Sequence, residues 1–255
     1  MKILSYNVNG IRAAITKDFF GWLQVAAPDV LCVQESKAEV AKIDVESFEK
    51  LGYHSFWHSA VRKGYSGVGI VTKQLPKNVH YGCGIEKYDV EGRVLRADFE
   101  GFSVISVYVP SASNIERLGY KMEFCFDFLE YIKALQKDIP NLIICGDFNI
   151  CHQAIDIHNP VGLKNVSGFL PEERAWMSQF IEECGLIDSF RYFNQEPDQY
   201  TWWSYRQQSR ERNKGWRIDY HFATKTLEAQ LKRGLILSEV KHSDHCPILV
   251  ELDVD

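Results

Sequence analysis

Short runs rich in Val, Ile, Tyr and Phe recur from one end of this chain to the other, with segments of helical periodicity between them. No other feature limits the fold as much. The runs cover 2–8, 29–35, 54–59, 68–73, 94–100, 102–109, 141–147, 217–224 and 246–253. Turn residues bound them, and their β-branched and aromatic content suits a pleated, half-buried surface. Glu100 and Gly101 form a tight turn between two of them, so that pair is antiparallel and the sheet is not purely parallel. Helical periodicity covers 12–26, 115–137 and 171–184. In the last, Pro171 suits the first helical position, Glu172 and Glu173 suit the positive end of a helix dipole, and Gly185 follows as a stop. Strands and helices each bury a face, and long helices between strand hairpins do so in layers: two facing sheets with helices outside. The 255 residues show no linker, no low-complexity segment and no internal repeat, so one domain over 1–255 is expected.

Hydrophobic residues make up 45% of the chain and charged residues 25%, enough for a real core in a soluble protein. No apolar run approaches the roughly 20 residues that span a bilayer, and the N-terminus turns polar by Ser5, so neither a membrane span nor a signal peptide is expected. The seven cysteines are odd in number, contain no CxxC and lie in apolar runs. That points to reduced core thiols and a cytoplasmic location. The net charge of -5 argues against a dedicated nucleic-acid scaffold, although it leaves room for an enzyme that meets phosphate through a metal and a local basic patch. Residues 206–217, with Arg206, Arg210, Arg212, Lys214 and Arg217 against Glu211 alone, are such a patch; by charge alone a solvated loop is the favoured explanation.

Several strand-like runs end in polar residues of one kind. They end in Asn7 and Asn9, in Glu35, in Tyr108, and in Asp147 and Asn149; Asp219 opens a later run, and Asp244 and His245 precede the last. Singly these are ordinary: a strand-end Glu is usually solvated and an Asn is usually a turn residue. Gathered on one rim they would form a site. Glu35 and nearby carboxamides are hard oxygen ligands that suit Mg2+. His245 could donate to a phosphate oxygen while Asp219 holds its other ring nitrogen. Asp147 could orient or deprotonate a water with Asn149 fixing the geometry, and Tyr108 could offer its hydroxyl. In-line phosphodiester hydrolysis without a covalent nucleophile follows. The chain has neither a Walker A motif nor a dinucleotide GxGxxG, and the glycines of 64–69 lead into a strand rather than a helix.

The motifs "SYNVNGIRA", "VQESK", "YSGVGI", "EGRV", "YVPS", "CGDFNI", "GFLPEERAW", "DSFR", "GWRIDY" and "SDHCP", in this order, resemble the exonuclease III family of abasic-site (AP) endonucleases, within the endonuclease/exonuclease/phosphatase superfamily. The resemblance spans residues 2 to 252. It implies a DNase I-like fold, a four-layer α/β sandwich of two facing mixed sheets flanked by helices. It implies Mg2+-dependent cleavage of DNA 5′ to an abasic site, leaving a 3′-hydroxyl, with 3′-5′ exonuclease and 3′-end-cleaning activity; Mn2+ would serve in place of Mg2+. By the same resemblance Glu35 is the main metal ligand with Asn7 beside it, and Asn9, Asp244 and Asp147 complete the metal side. Asp147 and Asn149 handle the attacking water, Asp219 and His245 pair at the phosphate, and Tyr108 sits by it. Trp202, Trp216 and Ile218 wall a pocket for the flipped abasic sugar, which is smaller than a nucleotide. Arg93, Lys164, Asn165 and Arg206 are further substrate-binding candidates. The partner is double-stranded DNA with abasic sites or blocked 3′ ends, met by a monomer away from membranes.

One region departs from the family. Where some relatives place two phosphate-touching Asn residues, this chain has Leu163 and Val166, with Lys164 and Asn165 as substitutes. Two rivals share the scaffold: a phosphoesterase for another substrate, and a catalytically silent RNA-binding regulator. Trp202, Trp216 and the basic loop favour DNA over the first. Competent residues at every catalytic position disfavour the second.

Overall fold

The structure is a computed structural model that describes residues 1–112 and 114–253; of the expected span 1–255, positions 113, 254 and 255 lie outside the described residues. In chain order the strands are β1 (Lys2–Asn7), β2 (Val30–Gln34), β3 (His54–His58), β4 (Val68–Thr72), β5 (Asn78–Tyr81), β6 (Val94–Asp98), β7 (Ser103–Tyr108), β8 (Leu142–Asp147), β9 (Leu186–Asp188), β10 (Asp219–Thr224), β11 (Leu231–Ile236) and β12 (Ile248–Leu252). The helices are α1 (Ile11–Ile15), α2 (Phe19–Ala26), α3 (Val45–Lys50), α4 (Glu86–Asp89), α5 (Ile115–Leu135), α6 (Pro171–Glu183) and α7 (Ser189–Phe193). Two six-stranded sheets form, in the orders β11-β12-β1-β2-β4-β3 and β5-β6-β7-β8-β10-β9.

Alternation along β1 shows how the layers arise. Ile3 packs into the gap between the sheets with Cys32, Val104 and Ile143, while Leu4 and Tyr6 face outward onto Phe19 and Leu23 of α2. The second sheet does the same on its far side, where Ile144 and Phe222 meet Phe124 and Phe128 of α5 and Trp176 and Phe180 of α6. Helix, sheet, sheet and helix therefore stack as four layers with apolar junctions. Burying a side chain of this size contributes about 1.5–3 kcal/mol.

The inner face changes character along the strands. After Ile3 comes Ser5, whose hydroxyl donates to Gln34 at 3.2 Å, and Gln34 in turn donates to Ser106 of the other sheet at 3.1 Å. Asn7 follows, fully buried, at the end of β1. The gap between the sheets thus grades from apolar to hydrogen-bonded to carboxylate-rich as it approaches one rim. Strand direction fixes which rim. β1 runs parallel to β2 and β7 runs parallel to β8, and the ends of the two pairs meet across the gap, where Asn7 donates to Asp147 and Tyr108 to Glu35; antiparallel β10 begins there, with Asp219 opposite Asp147.

Some sequence expectations are corrected. The periodic stretch 12–26 is two helices, broken before α2 where Asp18 takes a left-handed φ of 66°. Strands β5, β9 and β11 have no counterpart among the expected runs. All three lie at sheet edges, and β11 carries Lys232 and Arg233 outward, so charge hides the alternation. The run at 217 becomes strand only from Asp219. The expected hairpin at Glu100–Gly101 is present, with Gly101 at φ 79°. Pro171 opens α6 as expected.

Candidate active site

The rim where the parallel strands end holds a cavity of about 370 Å³. Asn9, Glu35, Tyr108, Asp147, Asn149, Asp244 and His245 line it, together with Trp202, Trp216 and Ile218. Distant segments converge as the sequence suggested, and their contacts are specific. His245 Nδ1 lies 2.9 Å from Asp219 Oδ2, and its Nε2 lies 3.9 Å from Asp147 Oδ2. Asp147 Oδ2 accepts from Asn7 Nδ2 at 2.8 Å, and its Oδ1 accepts the Asn149 backbone amide at 2.8 Å. Tyr108 donates to Glu35 Oε1 at 2.5 Å. Asn9 Nδ2 and Trp202 Nε1 donate to the two oxygens of Asp244, at 2.9 and 3.0 Å.

Backbone strain accompanies this gathering. Asn9, Glu35, Lys37 and Asn149 line the cavity and all have positive φ, between 47° and 53°. Each such residue costs on the order of 1–3 kcal/mol and persists only where surrounding contacts hold it. Gly146, before Asp147, is there for a different reason: a Cβ on it would lie 1.9 Å from the Val107 carbonyl oxygen. Only glycine lets β7 and β8 pair closely enough to set Tyr108 beside Asp147.

Burial and charge set the protonation pattern. Burial alone would lower the His245 pKa, but the carboxylates of Asp219, Asp147 and Asp244 override it and raise it from 6.5 to about 10, so the imidazole keeps its second proton. Burial, then the Asp219 charge beside it, pushes Asp147 up from 3.8 to about 7, against the pull of His245. Burial opposes ionisation of Glu35 too, yet the Lys37 ammonium and the Tyr108 hydroxyl hold its pKa below the ordinary value. Asp244 is likewise lowered, since His245, Trp202 and Asn9 outweigh its burial. Tyr108 is pushed well above 10 by burial and by Glu35 and Asp147, so it is a donor and not a base.

The donor set suits a hard divalent cation. Glu35, Asp244, Asp147 and Asn9 all bring oxygen donors to the one cavity, and the Lys37 ammonium bridges Glu35 Oε2 and Asn9 Oδ1, each at 2.5 Å. Asn7 fits the metal role less well: its Nδ2 faces Asp147 and lies 3.4 Å from Glu35, and its oxygen accepts from the Asn9 amide. The structure makes it a hydrogen-bonding link between the two carboxylates. One ligand atom each from Asp147, Asp219 and His245 also lies within 4.8 Å of the others, a second group able to hold an ion. As arranged, its imidazole is hydrogen-bonded to Asp219.

The remaining candidates are placed differently. Arg93 is corrected from a substrate contact to a support. It is 1% exposed, donates to Glu91, to the Tyr108 carbonyl and to the Tyr65 hydroxyl, and lies behind Tyr108 with its guanidinium 5.1 Å from the ring centre. Lys164, Asn165 and Arg206 are exposed and lie off the cavity wall, where only a ligand longer than the cavity would meet them. Of the departing pair, Val166 lines the cavity and Leu163 packs with Ile157 and Ile218 below it. Arg210 leaves the basic patch and staples the loop, donating to the carbonyls of Ser238, Val240 and Ser243. Arg217 turns inward to Asp156 and Asp188, both at 2.7 Å, which leaves its neighbours Trp216 and Ile218 facing the cavity.

Sequence reasoning assigns no role to Lys37, Ser111, Ser167 or Gly168, which also line the cavity, nor to Thr201. The Thr201 hydroxyl accepts the amides of Ile218 and Asp219 and so places both. Lys37 stands two residues from Glu35 inside the motif "VQESK", a readable signal; Thr201 offers none.

A family model described as Endonuclease/Exonuclease/phosphatase matches residues 4–245. The chain belongs to the Endonuclease/Exonuclease/phosphatase family. Among its relatives, an exodeoxyribonuclease of Bacillus subtilis (strain 168) is 41% identical over 257 residues, covering all of both chains. A DNA repair nuclease APEX1 of Danio rerio is 41% identical over 260 residues, covering all of this chain and 83% of that one. Among solved structures, an AP endonuclease from Archaeoglobus fulgidus superposes with a TM-score of 0.90 at 32% identity over the full length of both. The 3′ phosphatase NExo from Neisseria, bound to a product DNA hairpin, superposes with a TM-score of 0.92 at 29% identity, again over both full chains. Family membership accounts for a fold shared across such distances, and the two mixed six-stranded sheets flanked by helices are its DNase I-like architecture.

Proposed function

We propose that this protein is a divalent-metal-dependent DNA-repair phosphodiesterase that cuts DNA 5′ to abasic sites and leaves a 3′-hydroxyl. The reading includes 3′-5′ exonuclease and 3′-end-cleaning activity, in keeping with relatives that are named exodeoxyribonuclease, DNA repair nuclease and 3′ phosphatase. One observation carries it. A single cavity joins the acid–imidazole cluster to an apolar wall of Trp202, Trp216 and Ile218, so the same space that presents a base and a proton donor accepts a small, base-less sugar. A normal nucleotide flipped into the site must fit its base against Trp216, and an abasic one need not.

The residues divide the work. Asp147, held by Asn7 and Asn149, orients the attacking water and takes its proton as the oxygen adds to phosphorus; the P–O3′ bond opposite breaks, and the departing 3′-oxygen takes a proton from solvent water. Asp219 holds His245 Nδ1, so Nε2–H is the end free to donate to a phosphoryl oxygen. Asn149 Nδ2 is anchored on the Val109 carbonyl at 2.9 Å, which fixes its carboxamide beside the water. Trp202 joins the two halves, since it walls the pocket and also donates to Asp244. Glu35, Asn9 and Asp244 would hold Mg2+, which when bound supplies charge neutralisation at the phosphoryl and leaving oxygens. The exposed Lys164, Asn165 and Arg206 reach flanking phosphates of a duplex. The free cysteines, six of them buried, suit a reducing cytoplasm, and we assign the protein to that compartment as a monomer.

Duplexes carrying an abasic site, a recessed 3′ end or a 3′-phosphate, each with and without Mg2+, test the reading. Metal-dependent nicking 5′ to the abasic site is expected; folded protein that leaves this duplex intact with Mg2+ or Mn2+ would overturn it.

A further inference from the structure

Lys121 of α5 and Glu173 of α6 form a fully buried ion pair, both side chains at 0% exposure and 2.5 Å apart. Neither lines the cavity. Burying two charges is costly, and an apolar pair of the same volume often serves the core as well or better. What singles this pair out is where its remaining hydrogen bonds go. Lys121 Nζ donates to the Asn149 carbonyl at 2.8 Å. Glu173 accepts from Ser167 Oγ at 3.2 Å, from the Gly168 amide at 2.6 Å and from the Leu170 amide at 2.9 Å. Apart from the bond between the two charges, every one of these bonds goes to active-site backbone or to the loop that walls the cavity.

Both recipients are held in unusual conformations. Asn149 has φ 53°, and Gly168 has φ 95°. A Cβ on Gly168 would lie 2.9 Å from Trp216 Cζ3 and 3.2 Å from the Asn149 carbonyl oxygen. The loop therefore packs directly between the indole of Trp216 and Asn149, and the buried pair grips it from below. We infer that Lys121 and Glu173 are positioning residues that fix the gap between Asn149 on the reaction side and Trp216 on the recognition side, and so set the discrimination between an abasic sugar and an intact nucleotide. This rests on the abasic-site reading proposed above. Glu35, Asn9 and Asp244 lie outside these hydrogen bonds, and Asp147 meets them only through the Asn149 amide, so metal affinity should change far less than turnover.

The test compares wild type with two variants on an abasic duplex and on a fully paired duplex, alongside Mn2+ affinity by electron paramagnetic resonance and thermal unfolding. The double variant Lys121→Met with Glu173→Gln leaves no unpaired charge in the core. Glu173→Asp keeps the charge pair, and hence folding, but draws the carboxylate back from Gly168 and Leu170. A misplacement of about 1 Å can cost about 100-fold in turnover. The expected result is a fall of about 10- to 100-fold in kcat on the abasic duplex and a narrower ratio of abasic to intact cleavage, with Mn2+ affinity changed far less. Folded variants that keep the wild-type ratio overturn the inference, and so does a ratio that narrows only in step with weakened Mn2+ binding. If wild type itself leaves the abasic duplex uncut, the functional reading falls first and this inference with it.

Discussion

His245 and Asp147 govern each other's protons across 3.9 Å, and the pH dependence of the enzyme should follow from that pair. A base on Asp147 must be ionised, so kcat/KM should climb as pH rises through about 7; a donor on His245 must be protonated, so it should fall again near 10. A bell-shaped profile is expected, with the alkaline limb lost in His245→Ala; a flat profile from pH 6 to 10 would count against both roles. Stability has a sign of its own. Both folded-state pKa values are raised, so both groups contribute stability that is full below their ordinary values and lost as pH rises, through about 7 for Asp147 and about 10 for His245. Unfolding temperature should therefore decline from neutral to alkaline pH, less steeply in His245→Ala, as calorimetry would show. At this scale the sequence is informative because residue type carries the chemistry: a strand-ending Asp, Asn or Glu needs partners once buried. It misplaces Arg93 because a charged residue beside a site looks the same whether it faces ligand or supports Tyr108 from behind.

At the scale of elements, Gly146 ties strand pairing to the site. Gly146→Ala puts a methyl 1.9 Å from the Val107 oxygen at the parallel β7–β8 pair, where neither backbone can retreat. A loss of at least about 3 kcal/mol is expected, read as a lowered thermal midpoint or as insoluble protein; wild-type stability would show that the two strands have slack. Long, strongly periodic elements are legible, such as α5 across Ile115–Leu135 and α6 from Pro171. Strands β5 and β9 are not, because four- and three-residue edge strands carry too little alternation to stand out from a loop. The break between α1 and α2 escapes notice as well: the apolar spacing continues through it, and only the packing of Phe19 and Leu23 on the sheet requires the turn at Asp18.

Across the whole molecule, charge is unevenly placed. The outer helices α5 and α6 expose Glu116, Glu123, Glu130, Glu172, Glu182 and Glu183, while Lys164, Arg206, Arg212 and Lys214 are exposed on the loops that flank the cavity. A net charge of -5 thus coexists with exposed basic residues on loops near the cavity. Affinity for abasic duplex should fall steeply with salt, and replacing Arg206 and Lys214 by Ala should make the log–log slope shallower by about 0.9 for each phosphate no longer neutralised. An unchanged slope in a binding titration would remove these residues from the interface. Mg2+ should also stabilise the fold, because an ion that binds the folded cavity and not the unfolded chain shifts the equilibrium by mass action. At 100 times its dissociation constant a ligand adds about 2.7 kcal/mol, so the thermal midpoint should rise with Mg2+, return with chelator, and stay fixed in Glu35→Ala.

The sequence by itself determined the layered α/β architecture and named the acids, carboxamides, imidazole and indoles of the cavity, though not Lys37, Ser111, Ser167 or Gly168 beside them, because hydrophobic period and side-chain chemistry are local properties written in residue order. The tertiary structure alone decided which nitrogen of His245 Asp219 holds, that Lys37 bridges Glu35 to Asn9, and that two outer helices reach inward through Lys121 and Glu173 to the pocket wall. Those bonds join residues 26, 28 and 52 positions apart, and short-range pattern carries no record of distances that only folding closes.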